Sequence, residues 1–254
     1  MIYLSFDIEE FDMPKEYGFD IPFERQMNIS REGLTAILDL LQKHEAKATF
    51  FSTVVFAQNA PELIERLLSE GHELASHTYY HSDFAIEHLR SSKKALESQF
   101  GVTIEGLRMP RMLEVSATDV KQAGYTYNSS VNPTFLPGRY NKLQVPRALF
   151  REGDLWQIPA AVSPWRIPLF WLSFHNFPLW YYKHLLSRTV GSLGYAALYF
   201  HPWEFINLHQ REFNFPSYVM RNTGEAMITR FDKLLGFAKE KNWKVERYKK
   251  LIEK

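Results

Sequence analysis

The chain has 254 residues, 45% of them hydrophobic and 23% charged, with 30 lysines and arginines against 29 aspartates and glutamates. Near-neutral charge excludes the basic field that neutralises phosphates, so nucleic acid is not an expected partner. With no cysteine, disulfides and thiolate metal sites are excluded too, and any metal must be held by imidazole and carboxylate.

Short β-branched or aromatic runs alternate with helical patterns, which predicts βα units around a parallel sheet. The expected strands are Ile2–Phe6, Ala46–Phe51, His72–Ser76, Gly106–Met109, Leu155–Pro159, Ala196–Phe200 and Trp243–Arg247. Between the first two, Leu34, Ile37, Leu38 and Leu41 form one apolar helix face, with Ser30 placed as its N-cap. Leu63, Ile64, Leu67 and Leu68 repeat the pattern after Pro61, and Gly71 ends that helix. Phe231, Leu234, Leu235 and Ala238 mark a late helix before the last strand. No repeat or linker divides the chain, so residues 1–254 read as one domain of the size an α/β barrel needs.

Two segments read differently. Met1–Asp7 shows no basic segment, apolar run and small-residue cleavage site in succession, so the expectation is a cytoplasmic protein. Ile167–Tyr182 reads IPLFWLSFHNFPLWYY, too short and too interrupted by Pro168 and Pro178 to cross a bilayer. Burial is the plain expectation for it. The sharper one is a peripheral patch over 165–182 that touches a membrane surface or a lipid-linked substrate, because Trp and Tyr favour that boundary.

Four reactive side chains stand just past strand ends: Asp7, His77, Arg108 and His201. In a parallel sheet or barrel those ends share one face, which carries the active site. His77 and His81 form H-x-x-x-H, and a helical turn after the strand would bring both imidazoles to one ion. Alone, that pattern is weak and fits two partly exposed polar loop histidines better. Hydrolytic zinc sites use about three protein ligands, so an acidic third must come from elsewhere. In the segment DIEE, extended alternation points Asp7 and Glu9 to one side. Two carboxylates there suit divided labour, one on a metal and one free as a base, although acidic turns after strands are common.

Arg108 is placed to hold a carboxylate ionised; the plainer reading is a structural salt bridge. His201, between an apolar strand and Pro202, can give a proton to a leaving amine, or it is a bonded core histidine. His44, His72, His88, His175, His184 and His209 lack comparable placement and read as structural or exposed.

The ordered series SFDIEEFD, KATFF, GHELASHTYYH, GLRMP, GYTYNSS and YFHPWEF resembles the successive motifs of the NodB-homology polysaccharide deacetylases (carbohydrate esterase family four), in the branch whose first motif reads D-x-E. The likeness spans nearly the whole chain. It implies an irregular (β/α) barrel of about seven strands and a divalent metal, zinc foremost, with cobalt or manganese as substitutes. By the same resemblance Asp7 is the base, Glu9, His77 and His81 are the metal ligands, Arg108 orients Asp7, and His201 is the acid. A backbone N–H just after Pro110 would meet developing charge on the substrate oxygen. The implied partner is an N-acetylated carbohydrate, with Arg111, Asn128, Tyr199 and Trp203 along the substrate groove.

The chain departs from the family pattern at four positions. Ile8 replaces a second aspartate, which shifts the carboxylate ligand to Glu9, with Glu10 as the lesser substitute. Arg111 stands where tyrosine commonly follows the proline, making the groove more cationic. Asn128 occupies a usually acidic position that tunes the histidine acid, and Tyr199 one where leucine lines the acetyl pocket. These departures keep two alternatives open: the same scaffold acting on an acetyl ester or a cyclic ureide, as an allantoinase does, and a non-catalytic glycan-binding relic.

Overall fold

Residues Ile2–Ile8 form strand β1, and their alternation divides them between two environments. Ile2, Leu4, Phe6 and Ile8 join the large core shared with the helices. Tyr3 joins an inner cluster with Phe51, Ala75, Tyr127, Ile158, Ala197 and Tyr248, and Ser5 and Asp7 follow on its side of the strand. Phe6 shows the worth of the outer layer: its ring meets those of Phe50, Phe200, Phe205 and Phe231. Removing such a buried ring costs about 3–5 kcal/mol.

The computed structural model describes residues 1–208 and 213–253; His209 lies outside them. The remaining strands are β2 (Thr49–Ser52), β3 (Glu73–Ser76), β4 (Gly106–Leu107), β5 (Tyr127–Asn128), the β6–β7 hairpin (Phe135–Leu136 and Tyr140–Asn141), β8 (Phe150–Glu152), β9 (Leu155–Gln157), β10 (Ala196–Phe200) and β11 (Val245–Glu246). The main sheet runs β10-β1-β2-β3-β4-β5-β9-β8, parallel from β10 to β9. Only β8 is antiparallel, a hairpin partner of β9. Just beyond β9, the Ala161 N–H donates to the Ala197 carbonyl of β10, which draws the two ends of the curled sheet together. The result is the expected irregular barrel, with helices outside and a second, narrower core inside.

The strand inventory departs from expectation, with β5 to β8 not expected and one expected strand much reduced. Trp243–Arg247 shrinks to β11, which pairs only with Ile2 and Tyr3 at the foot of β1 and stands off the main path. A barrel strand that was not expected is Tyr127–Asn128, between β4 and β9, two residues too short to show a period in sequence. The first long helix also differs, running Phe23–Lys43 from Pro22. Ser30 is therefore inside the helix, and its hydroxyl donates to the Glu9 carbonyl at 2.6 Å instead of capping. Gly71 does follow the helix Pro61–Ser69 with φ +80°, the left-handed geometry expected of it.

Among the described residues no helix is long and apolar enough to cross a membrane. Within 165–182, Phe170, Phe174, His175 and Tyr182 are buried, whereas Trp165 and Trp180 are exposed. The stretch is thus mainly packing, with two indoles at the surface.

One contact ties this scaffold to the site. A Cβ at Gly33 would lie 2.0 Å from the Pro202 carbonyl oxygen, so the helix Phe23–Lys43 presses directly on the turn after β10. In an exposed helix Gly→Ala gains about 1 kcal/mol. Here the backbone clash wins, and Gly33→Ala should lose about 1–3 kcal/mol. Urea denaturation checks this; an unchanged or raised midpoint would contradict the clamp.

Candidate active site

The parity that puts Tyr3 inside the barrel also puts Asp7 there, and the same holds for His77 after Ala75, Arg108 beside β4, and His201 after Ala197 and Tyr199. Four of the expected residues therefore converge at one barrel mouth.

Glu9 lies just past β1. Its Oε2 is 3.0 Å from His77 Nε2 and 3.2 Å from His81 Nε2, and all three side chains are buried. The other ring nitrogens are already committed: His77 Nδ1 donates to the Arg108 carbonyl at 2.8 Å, and His81 Nδ1 pairs with Asp12 Oδ1 at 2.6 Å. With those protons on Nδ1, the two Nε2 lone pairs face a carboxylate oxygen that has no hydrogen-bond partner of its own. Three acceptors converging on one point fit a cation. Among the described residues, Glu9, His77 and His81 are the one group of metal-ligating type found to converge in this way. Burial alone would depress the His81 imidazole, but Glu9 and Asp12 outweigh it and push it up to about 9; a proton is what the group takes when it holds no cation.

The two histidines do not meet through a helical turn, as the spacing had suggested. Residues 77–81 form an irregular bend in which Thr78 adopts φ +67°, a costly conformation for a β-branched residue. It is held by Ser76 Oγ, which accepts the Thr78 N–H at 3.2 Å, and by the Val54 and Val55 N–H groups, which donate to the Thr78 and Tyr79 carbonyls. Glu10 completes the clamp, accepting the His81 N–H at 3.0 Å and the Thr53 hydroxyl at 2.8 Å. It braces the bend and is not part of the Glu9, His77, His81 group.

Beside this group, Asp7 Oδ1 receives Arg108 Nη1 at 2.6 Å. Arg108 is fully buried and bonded throughout, from Nε to the Ser129 carbonyl, from Nη1 to Ser5 Oγ and from Nη2 to Ser129 Oγ, each at 2.9 Å. Its guanidinium lies over the rings of Phe51, Tyr199 and Tyr248. Burial would raise the Asp7 carboxyl, but Arg108, then His77 and His201, hold it below the usual carboxylate range.

His201 Nε2 stands 3.8 Å from Asp7 Oδ2 across the mouth. Its Nδ1 donates to Glu204 Oε1 at 2.9 Å, and the same oxygen accepts the His201 backbone N–H at 2.6 Å. Burial works to lower the imidazole, but Glu204, Asp7 and Glu9 together raise it above its ordinary value.

Among the expected groove residues, Asn128 does not tune His201. Its carboxamide is spent on Gln157 and Ser130 in a cleft next to the mouth. Glu204 supplies that carboxylate instead. Arg111 has φ +55°, and its charge is absorbed by Glu16 at 2.5 Å and Asp12 at 3.6 Å, which leaves the groove less cationic than expected. Tyr199 is buried against Ala160 and Phe170, and Trp203 is buried and stacked on His201 with centroids 5.6 Å apart. Trp203 thus supports the imidazole and does not face the groove.

Glu204 and Asp12 were not singled out from sequence. The signal for Glu204 was H-P-W-E, in which a side chain three residues on bonds back to the N-terminal backbone N–H of a short helix. Asp12 gave no such signal.

The barrel mouth thus carries a buried two-histidine, one-carboxylate group that could hold a metal, beside an arginine-held aspartate and a carboxylate-backed histidine. Residues 1–128, half of the chain, match the polysaccharide deacetylase family model, and the chain belongs to that family. It is 47% identical over 49 residues to a chitooligosaccharide deacetylase of Bradyrhizobium sp. (strain ANU 289), covering 19% of this chain and 22% of that protein. It is 36% identical over 62 residues to a peptidoglycan-N-acetylmuramic acid deacetylase of Bacillus subtilis, covering 24% of each. The matched segments thus span about a quarter or less of these relatives.

Solved structures share the fold along almost the full chain. The peptidoglycan deacetylase PdaC of Bacillus subtilis superposes with a TM-score of 0.54 at 16% identity, covering 100% of this chain and 90% of that one. The allantoinase Puue gives 0.62 at 14%, covering 98% and 88%. BA3943 of Bacillus anthracis, a CE4 family pseudoenzyme, gives 0.55 at 14%, covering 99% and 64%.

Zinc added to chelator-stripped protein should bind at about one ion per chain, measured by calorimetry. Glu9→Ala and His77→Ala should abolish binding, whereas Asp12→Asn, which loosens only the orientation of His81, should weaken it about 10–100-fold. Full affinity in Glu9→Ala would show that the ligand set is wrong.

Proposed function

We propose that this chain is a divalent-cation-dependent hydrolase that removes N-acetyl groups from an amino sugar in a polysaccharide, peptidoglycan or lipid-linked glycan. The reading rests on one observation above all. The unpartnered Glu9 oxygen between two imidazoles lies beside Asp7, itself held by Arg108, with His201 3.8 Å away across the mouth. That is a complete set of cation ligands, base and acid around one space.

Glu9, His77 and His81 would hold the ion, with zinc the natural fit for two imidazoles and a carboxylate; it supplies Lewis-acid polarisation and acidifies water. Asp7 is the proton acceptor, because the Arg108 ion pair keeps it ionised and leaves Oδ2 on the side of His201. As a water oxygen bonds to the acetamide carbon, Asp7 takes the water proton. The Arg111 backbone N–H, in the left-handed turn after Pro110, donates to the carbonyl oxygen as it gains charge. The C–N bond then breaks, and His201 passes its Nε2 proton to the departing nitrogen, giving acetate and a free amine. An amine leaves poorly unless protonated, and the raised basicity of His201 keeps that proton available at neutral pH.

Sequence likeness supports a sugar substrate, since both curated relatives above are named as deacetylases of chitooligosaccharide or peptidoglycan. The resemblance to the allantoinase lies in fold alone.

Acetate release from N-acetylglucosamine oligomers and peptidoglycan, with and without added zinc, tests the reading; hydrolysis of only acetyl esters or ureides, or of nothing, would overturn it. Asp7→Asn should keep zinc but lose at least about 100-fold in kcat, whereas His77→Ala should lose both. Equal zinc loss in the two variants would move Asp7 into the ligand set.

The pH profile follows from two shifts. Asp7 must be ionised and its carboxyl is lowered, so it imposes no limit near neutrality. His201 must be protonated and its imidazole is raised, so kcat should fall only as pH climbs past the ordinary 6.5 of histidine. Glu204→Gln removes the main raising influence and should move that alkaline limb to lower pH.

A further inference from the structure

Behind Glu204 sits a second histidine for which the proposed reaction has no use. His175, in the helix Trp171–Asn176, is fully buried, with Nε2 2.9 Å from Glu204 Oε2 and Nδ1 3.2 Å from the Val219 carbonyl. Both ring nitrogens face oxygens. A carbonyl can only accept, so Nδ1 must carry a hydrogen. Unlike that of the Glu9 oxygen, the Nε2 contact lies outside the converging group of metal-ligating type found among the described residues, so a second proton must fill it, because a bare nitrogen and a carboxylate oxygen would repel at that distance. Turning the ring over changes nothing, since both partners remain acceptors.

Glu204 is also fully buried. Among the described residues its carboxylate is bonded to His201 through Oε1 and to His175 through Oε2. The other titratable or charged groups around this chain are Asp7 and Glu9 beyond His201, Tyr182 and Tyr199, whose hydroxyls sense Glu204, and Arg230. Arg230 donates to the carbonyls of Phe174 and Phe177. His175 is therefore the group in position to balance the buried carboxylate from behind. Its ring is fixed edge-on to Trp171 and Trp203, and Trp203 in turn stacks on His201.

We propose that His175 is a positioning residue for the reaction: doubly protonated, it holds Glu204 as a bonded carboxylate. Glu204 in turn keeps one proton on His201 Nδ1 and leaves Nε2 for the transferable one. The meaning of His201 as an acid rests on the deacetylase reading; the three-member chain rests on geometry alone. Without a donor at Oε2, a carboxylate sealed from water takes up a proton itself. It then no longer stabilises a cationic His201.

Nitrogen-15 NMR of the zinc-loaded protein at neutral pH, with labelled histidine, tests this directly. Both nitrogens of His175 should carry hydrogen, and His201 should be protonated at Nδ1. His175→Leu should lower the titration midpoint of His201 by roughly one pH unit, together with the alkaline limb of kcat. His175→Gln, whose amide still donates to Glu204, should restore both to within a few tenths. A bare Nε2 on His175 in the native protein would overturn the proposal, and so would an unchanged His201 midpoint in folded His175→Leu. The native spectrum decides the matter even where the leucine variant fails to fold. If the NMR behaves as stated and no acetate is released from any substrate, the deacetylase reading fails alone.

Discussion

A guanidinium fully buried inside a barrel must bond to oxygens of the protein itself. Arg108 meets this demand with Ser5, Asp7 and Ser129, and its flat face is covered by three aromatic rings. Breaking a buried pair by removing one partner costs about 3–5 kcal/mol. The interaction therefore joins β1, β4 and the segment after β5, while fixing the ionisation and direction of Asp7. The backbone carbonyl of Arg108 also accepts from His77 Nδ1. One residue thus orients both the proposed base and a proposed metal ligand, which ties the integrity of the barrel to the geometry at its mouth.

Part of the backbone strain lies at the same place. Thr78, Arg111 and Met112 all take positive φ without being glycine, at a cost of order 1–3 kcal/mol each. Thr78 lies between His77 and His81, and Arg111 and Met112 follow Pro110. The hydrogen bonds that hold this bend come from Ser76 and from the first turn of the helix Val54–Asn59. The helix Phe23–Lys43 plays the same part for the turn bearing Glu204, through the close approach of Gly33 to Pro202. The outer helices therefore do more than bury apolar surface; they hold two loops in conformations those loops would not keep alone.

The fold by itself does not choose a reaction, since similar barrels serve a peptidoglycan deacetylase, an allantoinase and a pseudoenzyme. What argues for chemistry in this chain is the completeness of the mouth. Two imidazoles and a carboxylate converge, Arg108 favours the ionised form of Asp7, and His201 is backed by a carboxylate. Where the family pattern has a second aspartate, Ile8 points into the outer core, and Glu9 is the carboxylate that meets the two imidazoles. Glu204 likewise fills the need that Asn128 leaves open, from a different element of the barrel.

Much of this was legible along the chain. Asp7, His77, Arg108 and His201 follow strands, and period-two alternation is a local property, so their shared face follows from sequence and parallel topology. The spacing of Asp7 and Glu9 is equally local. Tertiary structure decided what depends on distant partners. It placed Asp12 behind His81, made Tyr127–Asn128 a barrel strand, folded the His77–His81 bend without a helix, and buried His175 against Glu204. Residues 175 and 204 touch only because the helix Trp171–Asn176 packs beside the turn after β10, and no periodicity encodes that approach. A residue's chemistry and its side of a strand are written locally, whereas the proton count of a buried contact exists only once both partners have been brought together and sealed from water.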